Sequence, residues 1–264
     1  MGAHDTDFIE AGRGEKVILI HSSVAGARQW RSLMAALADE FHVIAINLFG
    51  YGKTRAWGAD SGAQRLEDQA RLIEPFLPEK GEQFSLVGHS FGGSVAMKAA
   101  ALFREQVNRL VLIEPNPFYL LDKHGRAAAY QEAVTLRDLI KAHGKAGSWE
   151  IAAEKFADYW TGAGSWNAMP DDRKEKFSQA LKPNFHEWDA VMKEETSLRE
   201  WERDLPAQTT VLTAADTVNS IDEIYELLRQ NISGWNFEQI DKGGHMAVLS
   251  SPEQVNPRII AALR

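Results

Sequence analysis

Short apolar runs alternate with amphipathic helical patterns along most of this chain, and that rhythm limits the fold more than any other feature. Val17-Ile18-Leu19-Ile20 is a β-branched run of strand length, and Trp30, Leu33, Met34 and Leu37 then recur at helical spacing. Residues 43–46, 84–87 and 110–113 repeat the strand pattern. Between them, Leu66, Ala70, Ile73 and Leu77 mark one helix, which Pro75 must bend or shorten, and Val95, Ala96, Ala99 and Leu102 mark another. Apart from Ser85, the strand runs are apolar throughout rather than alternating, so they are covered on both faces. Strands of that kind separated by helices predict right-handed βαβ units and a mostly parallel, doubly wound α/β sheet.

The rhythm breaks after Pro115 and Pro117. Residues 118–205 read as helices with polar faces, for example Glu150 to Trp160 and Asn184 to Trp201, with no strand among them. Strand signals return at Thr209-Thr210-Val211-Leu212 and over residues 235–240, and a last helix carries Val255, Ile259 and Leu263. The expected organisation is therefore a core domain of residues 1–115 and 207–264, interrupted by a helical cap domain of residues 116–206. Five of the eight tryptophans lie in that cap: Trp149, Trp160, Trp166, Trp188 and Trp201. Packing the cap's own core is the ordinary use for such rings, and walling an apolar pocket is the functional one.

Composition excludes several function classes. The net charge of −8 disfavours a nucleic-acid partner, since neutralising phosphates needs clustered Lys and Arg. With no cysteine there is no disulfide scaffold and no thiolate chemistry. The histidines lack ligand spacing, so no metal is expected. Residues 1–5 show no leader pattern, and no run of about 18 apolar residues occurs, so a cytoplasmic protein without a membrane span is the default expectation. Asn47-Leu48-Phe49-Gly50-Tyr51-Gly52-Lys53-Thr54 nearly spells a phosphate-binding loop, but Asn47 replaces its first glycine. Nucleotide binding is not expected, and no cofactor is implied.

The chemistry concentrates where residues 84–87 run into Gly88-His89-Ser90-Phe91-Gly92, followed at once by a helix. This is G-x-S-x-G in its strand–turn–helix context. So sharp a turn demands a positive φ at the serine and no side chain at 88 or 92, and it exposes Ser90 Oγ at the carboxyl end of the sheet. The helix N-terminus then turns free N–H groups toward a developing anion. Downstream, His245 in Gly243-Gly244-His245 lies between the last strand and the last helix, placed to act as general base. Asp216, after the strand at 209–212, is the favoured acid to orient it. Glu114, ending the strand at 110–113, is the alternative.

Taken together and in order, these segments resemble the α/β-hydrolase family, specifically its capped esterase, haloperoxidase and C–C hydrolase group. The segment from Val17 to Ser23 resembles the family's strand and oxyanion loop, residues 47–54 its D-x-x-G-x-G-x-S loop, and Gly244-His245 with Ser251-Pro252-Glu253 its ending. The departures are His21-Ser22 for His-Gly, Asn47 for Asp, and Thr213 where a glycine commonly precedes the acid. The resemblance implies an α/β-hydrolase fold with its cap after the sixth strand position, and an oxyanion hole made by the Ser23 and Phe91 backbone N–H groups. It also implies a serine hydrolase cleaving small to medium carboxylic esters, with Ser90, His245 and Asp216 as triad. A C–C bond hydrolase of β-diketone-like substrates on the same triad, and a receptor with a vestigial triad, are the competing readings.

Overall fold

The computed structural model describes residues 6–264; residues 1–5, read above for a leader pattern, lie outside the described residues. Seven strands form one sheet: β1 (Phe8–Ala11), β2 (Glu15–Ile20), β3 (Phe41–Ile46), β4 (Phe84–His89), β5 (Val107–Ile113), β6 (Thr209–Ala214) and β7 (Asn236–Ile240). Their spatial order is β1-β3-β2-β4-β5-β6-β7, with β1 antiparallel to β3 and every other pair parallel. The order reverses between β2 and β4. In such sheets the crevice outside the carboxyl ends of the two strands at the reversal is where ligands bind.

The period of two along the central strands divides the core. Val17, Leu19, Val43, Ala45, Val87 and Val111 face one layer, with Trp30, Leu33, Ile259 and Leu263 from α1 (Arg31–Leu37), α13 (Pro252–Leu263) and the turn before α1. Ile18, Ile20, Ile44, Ile46, Leu86, Leu110 and Leu112 face the other, where α2 (Leu66–Ala70), α3 (Phe91–Leu102) and α11 (Asn219–Asn231) pack. Pro75 has the expected effect: after α2 the chain continues as a 3₁₀ turn over Arg71–Phe76, because the proline lacks the N–H an α-helix needs there.

All seven helices between β5 and β6 belong to the insertion: α4 (Tyr119–Lys123), α5 (Ala127–Lys145), α6 (Trp149–Thr161), α7 (Ser165–Ala168), α8 (Asp171–Ala180), α9 (Asn184–Met192) and α10 (Leu198–Asp204). The insertion follows the fifth strand of this chain, since a single antiparallel strand, β1, precedes the parallel set. The helix expected from Asn184 to Trp201 is two helices. Ser197 starts the second one: its Oγ accepts from Glu200 N–H, and Glu200 Oε2 accepts from Ser197 N–H at 2.7 Å. This is a capping box legible in Ser197-Leu198-Arg199-Glu200. The short helix α12 (Ala247–Ser250) lies between β7 and α13. No described helix is long and apolar enough to cross a membrane.

Candidate active site

β4 ends in the sharp turn the glycines require. Ser90 has φ 55° and ψ −121°, a left-handed backbone that L-residues hold only when the surroundings impose it. A Cβ on Gly88 would overlap Gly92 O, and one on Gly92 would overlap the carbonyl oxygens of Ile20 and His21. The first turn of α3 is thereby brought against the end of β2, and the serine faces the crevice between β2 and β4.

His245 is buried, and its Nε2 accepts from Ser90 Oγ–H at 2.8 Å. Its Nδ1–H donates to Glu114 Oε2 at 2.6 Å. The carboxylate expected from Asp216 is elsewhere. Asp216 is solvent-exposed and accepts from Gly243 N–H at 3.3 Å and Gly244 N–H at 2.8 Å, so it grips the loop that carries the histidine without touching the imidazole. The Gly244 N–H holds its pKa below the ordinary value. Glu114, the alternative acid, is the carboxylate this fold brings to His245. It follows β5 with φ 45°, and its longer side chain spans the end of β6. There Thr213 Oγ1 and Ala214 N–H donate to Oε1 at 3.2 and 2.8 Å, and Thr217 Oγ1 donates to Oε2 at 2.8 Å. Burial pushes the Glu114 pKa up, but the bond from His245 and these donors bring it below the ordinary value. Thr213, standing where a glycine is common, is thus a ligand of Glu114.

Ser23 and Phe91 line the same small cavity as Ser90, and among the described residues neither backbone N–H donates to a protein acceptor. The cavity is tight, about 10 Å³ and far below the usual range for ligand pockets, and α6 and α9 roof it with Phe156, Trp160, Asn184, Glu187, Trp188 and Val191. Trp160 stacks on the His245 ring, centroids 4.1 Å apart. Trp160 and Trp188 are therefore pocket walls, whereas Trp201 is buried elsewhere, giving its indole N–H to Tyr119 Oη at 2.6 Å. A larger depression of about 440 Å³, beside Phe49, Trp57 and Phe185, touches none of Ser90, His245 and Glu114.

Sequence reasoning missed Glu187 altogether. This buried carboxyl accepts from Ser23 Oγ at 2.5 Å, Tyr51 Oη at 2.8 Å and Asn184 Nδ2 at 2.9 Å, tying cap helix α9 to the loop after β2. Burial raises its pKa against the pull of those three donors. Nothing in a lone Glu on a helix signals such a partner set before the cap's docking is known. The near phosphate-binding loop is likewise absorbed by the fold. Asn47 Oδ1 accepts from Ala27 N–H at 2.8 Å while Nδ2 donates to Asp7 at 2.9 Å. An aspartate at position 47 would face the Asp7 carboxylate instead.

A model of the alpha/beta hydrolase family matches residues 17–258. The chain belongs to that family. A 2-hydroxy-6-oxo-6-(2'-aminophenyl)hexa-2,4-dienoic acid hydrolase of Metapseudomonas resinovorans is 36% identical over 118 residues; the match spans 42% of this chain and only 39% of that protein. The (E)-2-((N-methylformamido)methylene)succinate hydrolase of Acinetobacter baylyi is 25% identical across 97% of this alpha/beta hydrolase and 93% of its own length. Among solved structures, an esterase from Exiguobacterium antarcticum superposes with a TM-score of 0.77 at 18% identity, covering 98% and 95% of the two chains.

Two further histidines sit in this alpha/beta hydrolase without acting on Ser90. His21 Nδ1–H donates to Ser22 O and its Nε2 accepts from Leu48 N–H, and burial lowers its pKa to about 4. His89 Nε2–H donates to His245 O, and burial, with the neighbouring His245, lowers its pKa to about 3. Both stay neutral when folded and bind protons when unfolded, so the unfolded state gains protons as pH falls through 6.5. Stability is therefore full above that value and is lost down to the folded pKa, by about 2 kcal/mol per histidine at pH 5. Glu187, with its raised pKa, offsets part of this on the acid side. Denaturant unfolding of His89→Gln should show about 2 kcal/mol less loss between pH 7.5 and 5 than the unchanged protein. An identical pH dependence would contradict the assignment.

Proposed function

We propose that this chain is a serine hydrolase that cleaves carboxylic esters of small to medium size through an acyl-enzyme. The single observation carrying the reading is the buried hydrogen-bonded chain Ser90 Oγ–His245 Nε2 and His245 Nδ1–Glu114. In this reading His245 takes the Ser90 proton as Oγ attacks the ester carbonyl. The oxyanion then collects the N–H groups of Phe91 and Ser23, at the positive end of α3. His245 protonates the departing alcohol, then activates the water that releases the acid and regenerates Ser90. Glu114 keeps the imidazole in one tautomer and balances the imidazolium. The triad is therefore Ser90, His245 and Glu114, with Asp216 a support of the histidine loop. The cap, residues 116–206, supplies walls and no proton-transfer group.

The dienoic acid hydrolase relative favours a second reading, C–C bond hydrolysis on the same triad. A panel of p-nitrophenyl esters from acetate to octanoate, with a β-diketone included, separates the two. The ester reading expects kcat/KM to be highest for short acyl chains, in keeping with the tightness of that cavity. Turnover of the diketone with none of the esters would replace it.

A further inference from the structure

The loop that follows β2 is held from the cap side. Of the N–H groups of residues 22–25, only that of Ser23 lacks a protein acceptor among the described residues. Ser22 N–H donates to Gln29 Oε1 at 3.2 Å, Val24 N–H to Tyr51 Oη at 3.0 Å and Ala25 N–H to Ser22 O at 3.3 Å. The free N–H therefore sits between two fixed peptides, and its residue lines the cavity with Ser90 and Phe91. Val24 has φ 69°, a left-handed backbone that a β-branched residue holds only where its surroundings impose it. The contacts that impose it lead to Glu187 of α9. Tyr51 Oη, having accepted from Val24 N–H, donates its own O–H to Glu187 Oε1 at 2.8 Å. Ser23 Oγ, having accepted from Asn184 Nδ2 at 3.2 Å, donates to Glu187 Oε2 at 2.5 Å. Asn184 Nδ2 also donates to Oε2 directly, at 2.9 Å. All three partners of this buried carboxyl are thus donors, and they meet it at both oxygens. A carboxylate suits that arrangement, whereas an amide would turn its NH2 toward one set of donors and leave it unpaired.

We propose that Glu187 is a positioning residue for the oxyanion hole: from the cap it fixes Ser23 directly and Val24 through Tyr51, and so keeps the Ser23 N–H in place for the oxygen that becomes negative. The inference rests on the serine hydrolase reading and gives the cap a part in stabilising the transition state. Oxyanion donors are effective because they need no rearrangement at the moment of reaction. A loop released from Glu187 must be ordered again each time an oxyanion forms. The loss therefore falls on the tetrahedral transition state and spares the binding of the ester itself.

The test compares Glu187→Gln, Tyr51→Phe and Glu194→Gln on p-nitrophenyl acetate at pH 7.5. Glu194→Gln is the control, since it loosens a different tie between cap and core, the one to Lys98 Nζ at 3.0 Å. Glu187→Gln should lower kcat/KM about 10–100-fold, short of the loss expected when an oxyanion donor is deleted outright. Tyr51→Phe, which cuts only the link to Val24 N–H, should lower it about 3–10-fold, and Glu194→Gln less than about threefold. Inhibition by a trifluoromethyl ketone, which adds to Ser90 and loads the oxyanion hole, should weaken in proportion to kcat/KM. In a Ser90→Ala background, where no oxyanion forms, tryptophan fluorescence should show the ester affinity changed less than about threefold by Glu187→Gln. A kcat/KM loss matched by an equal loss of ester affinity, or an equal loss in Glu194→Gln, would make Glu187 a packing residue and overturn the inference. So would unchanged kcat/KM in folded Glu187→Gln. If that variant does not fold, Tyr51→Phe decides: weaker turnover and ketone inhibition with intact ester affinity supports the inference, and no loss overturns it. An unchanged protein that neither hydrolyses the ester nor binds the ketone would overturn the serine hydrolase reading, and the inference with it. In every other outcome that reading stands.

Discussion

Glu114→Gln should lower kcat by about 10²–10⁴-fold in folded protein, while Asp216→Asn should cost about tenfold or less. The difference follows from what each carboxylate touches. Glu114 Oε2 lies 2.6 Å from His245 Nδ1, and both residues are 3% exposed. A glutamine there cannot accept the Nδ1 proton without turning its amide NH2 toward the Ala214 N–H, and it carries no charge to stabilise an imidazolium. Among the described residues Asp216 accepts only from the N–H groups of Gly243 and Gly244, at the surface, and an asparagine oxygen can keep the shorter bond, from Gly244. Steady-state kinetics of the two variants at one pH, with folding checked by circular dichroism, give the ranking directly. The reverse order would return the orienting role to Asp216.

The largest effect belongs to Ser90→Ala, which should reduce ester hydrolysis at least ~10³-fold and leave folding intact. Alanine keeps the Cβ, so the strained φ of 55° at the elbow is no worse than in the serine. Among the described residues, the one side-chain hydrogen bond lost is that to His245 Nε2. Residual rate above water should persist, because the N–H groups of Phe91 and Ser23 and the cavity walls are untouched. Near-normal turnover in a folded Ser90→Ala protein would remove the nucleophile from the mechanism and with it the acyl-enzyme.

Much of this was legible before the structure. The continuous apolar runs at 17–20, 43–46, 84–87 and 110–113 became the central parallel strands, because nothing but a doubly covered sheet can bury such runs. Pro75 altered its helix for a local reason, the missing N–H. Ser90 and His245 were legible because the elbow and the Gly-Gly-His loop each carry their own backbone chemistry in sequence. The acid was less so. Two carboxylates follow two adjacent strands, and which one reaches the imidazole depends on side-chain length and on the donors around it, here Thr213, Ala214 and Thr217. The break between α9 and α10 was written in the Ser197 capping box but masked by apolar spacing that runs across it. Glu187 and its partner set were not legible at all, because they acquire meaning only when α6 and α9 dock over Ser90. Local patterns thus carried the core, and contacts between the insertion and the sheet carried what is particular to this chain.

The central claim is that Ser90 is a nucleophile activated by His245. Intact mass spectrometry after treatment with a small fluorophosphonate tests it most directly, with peptide mapping to place the label. One phosphonyl group per chain should appear, on Ser90, and labelling should be slowed by orders of magnitude in His245→Ala and absent in Ser90→Ala. A folded protein that stays unlabelled, or that carries the label on another residue, would contradict the account.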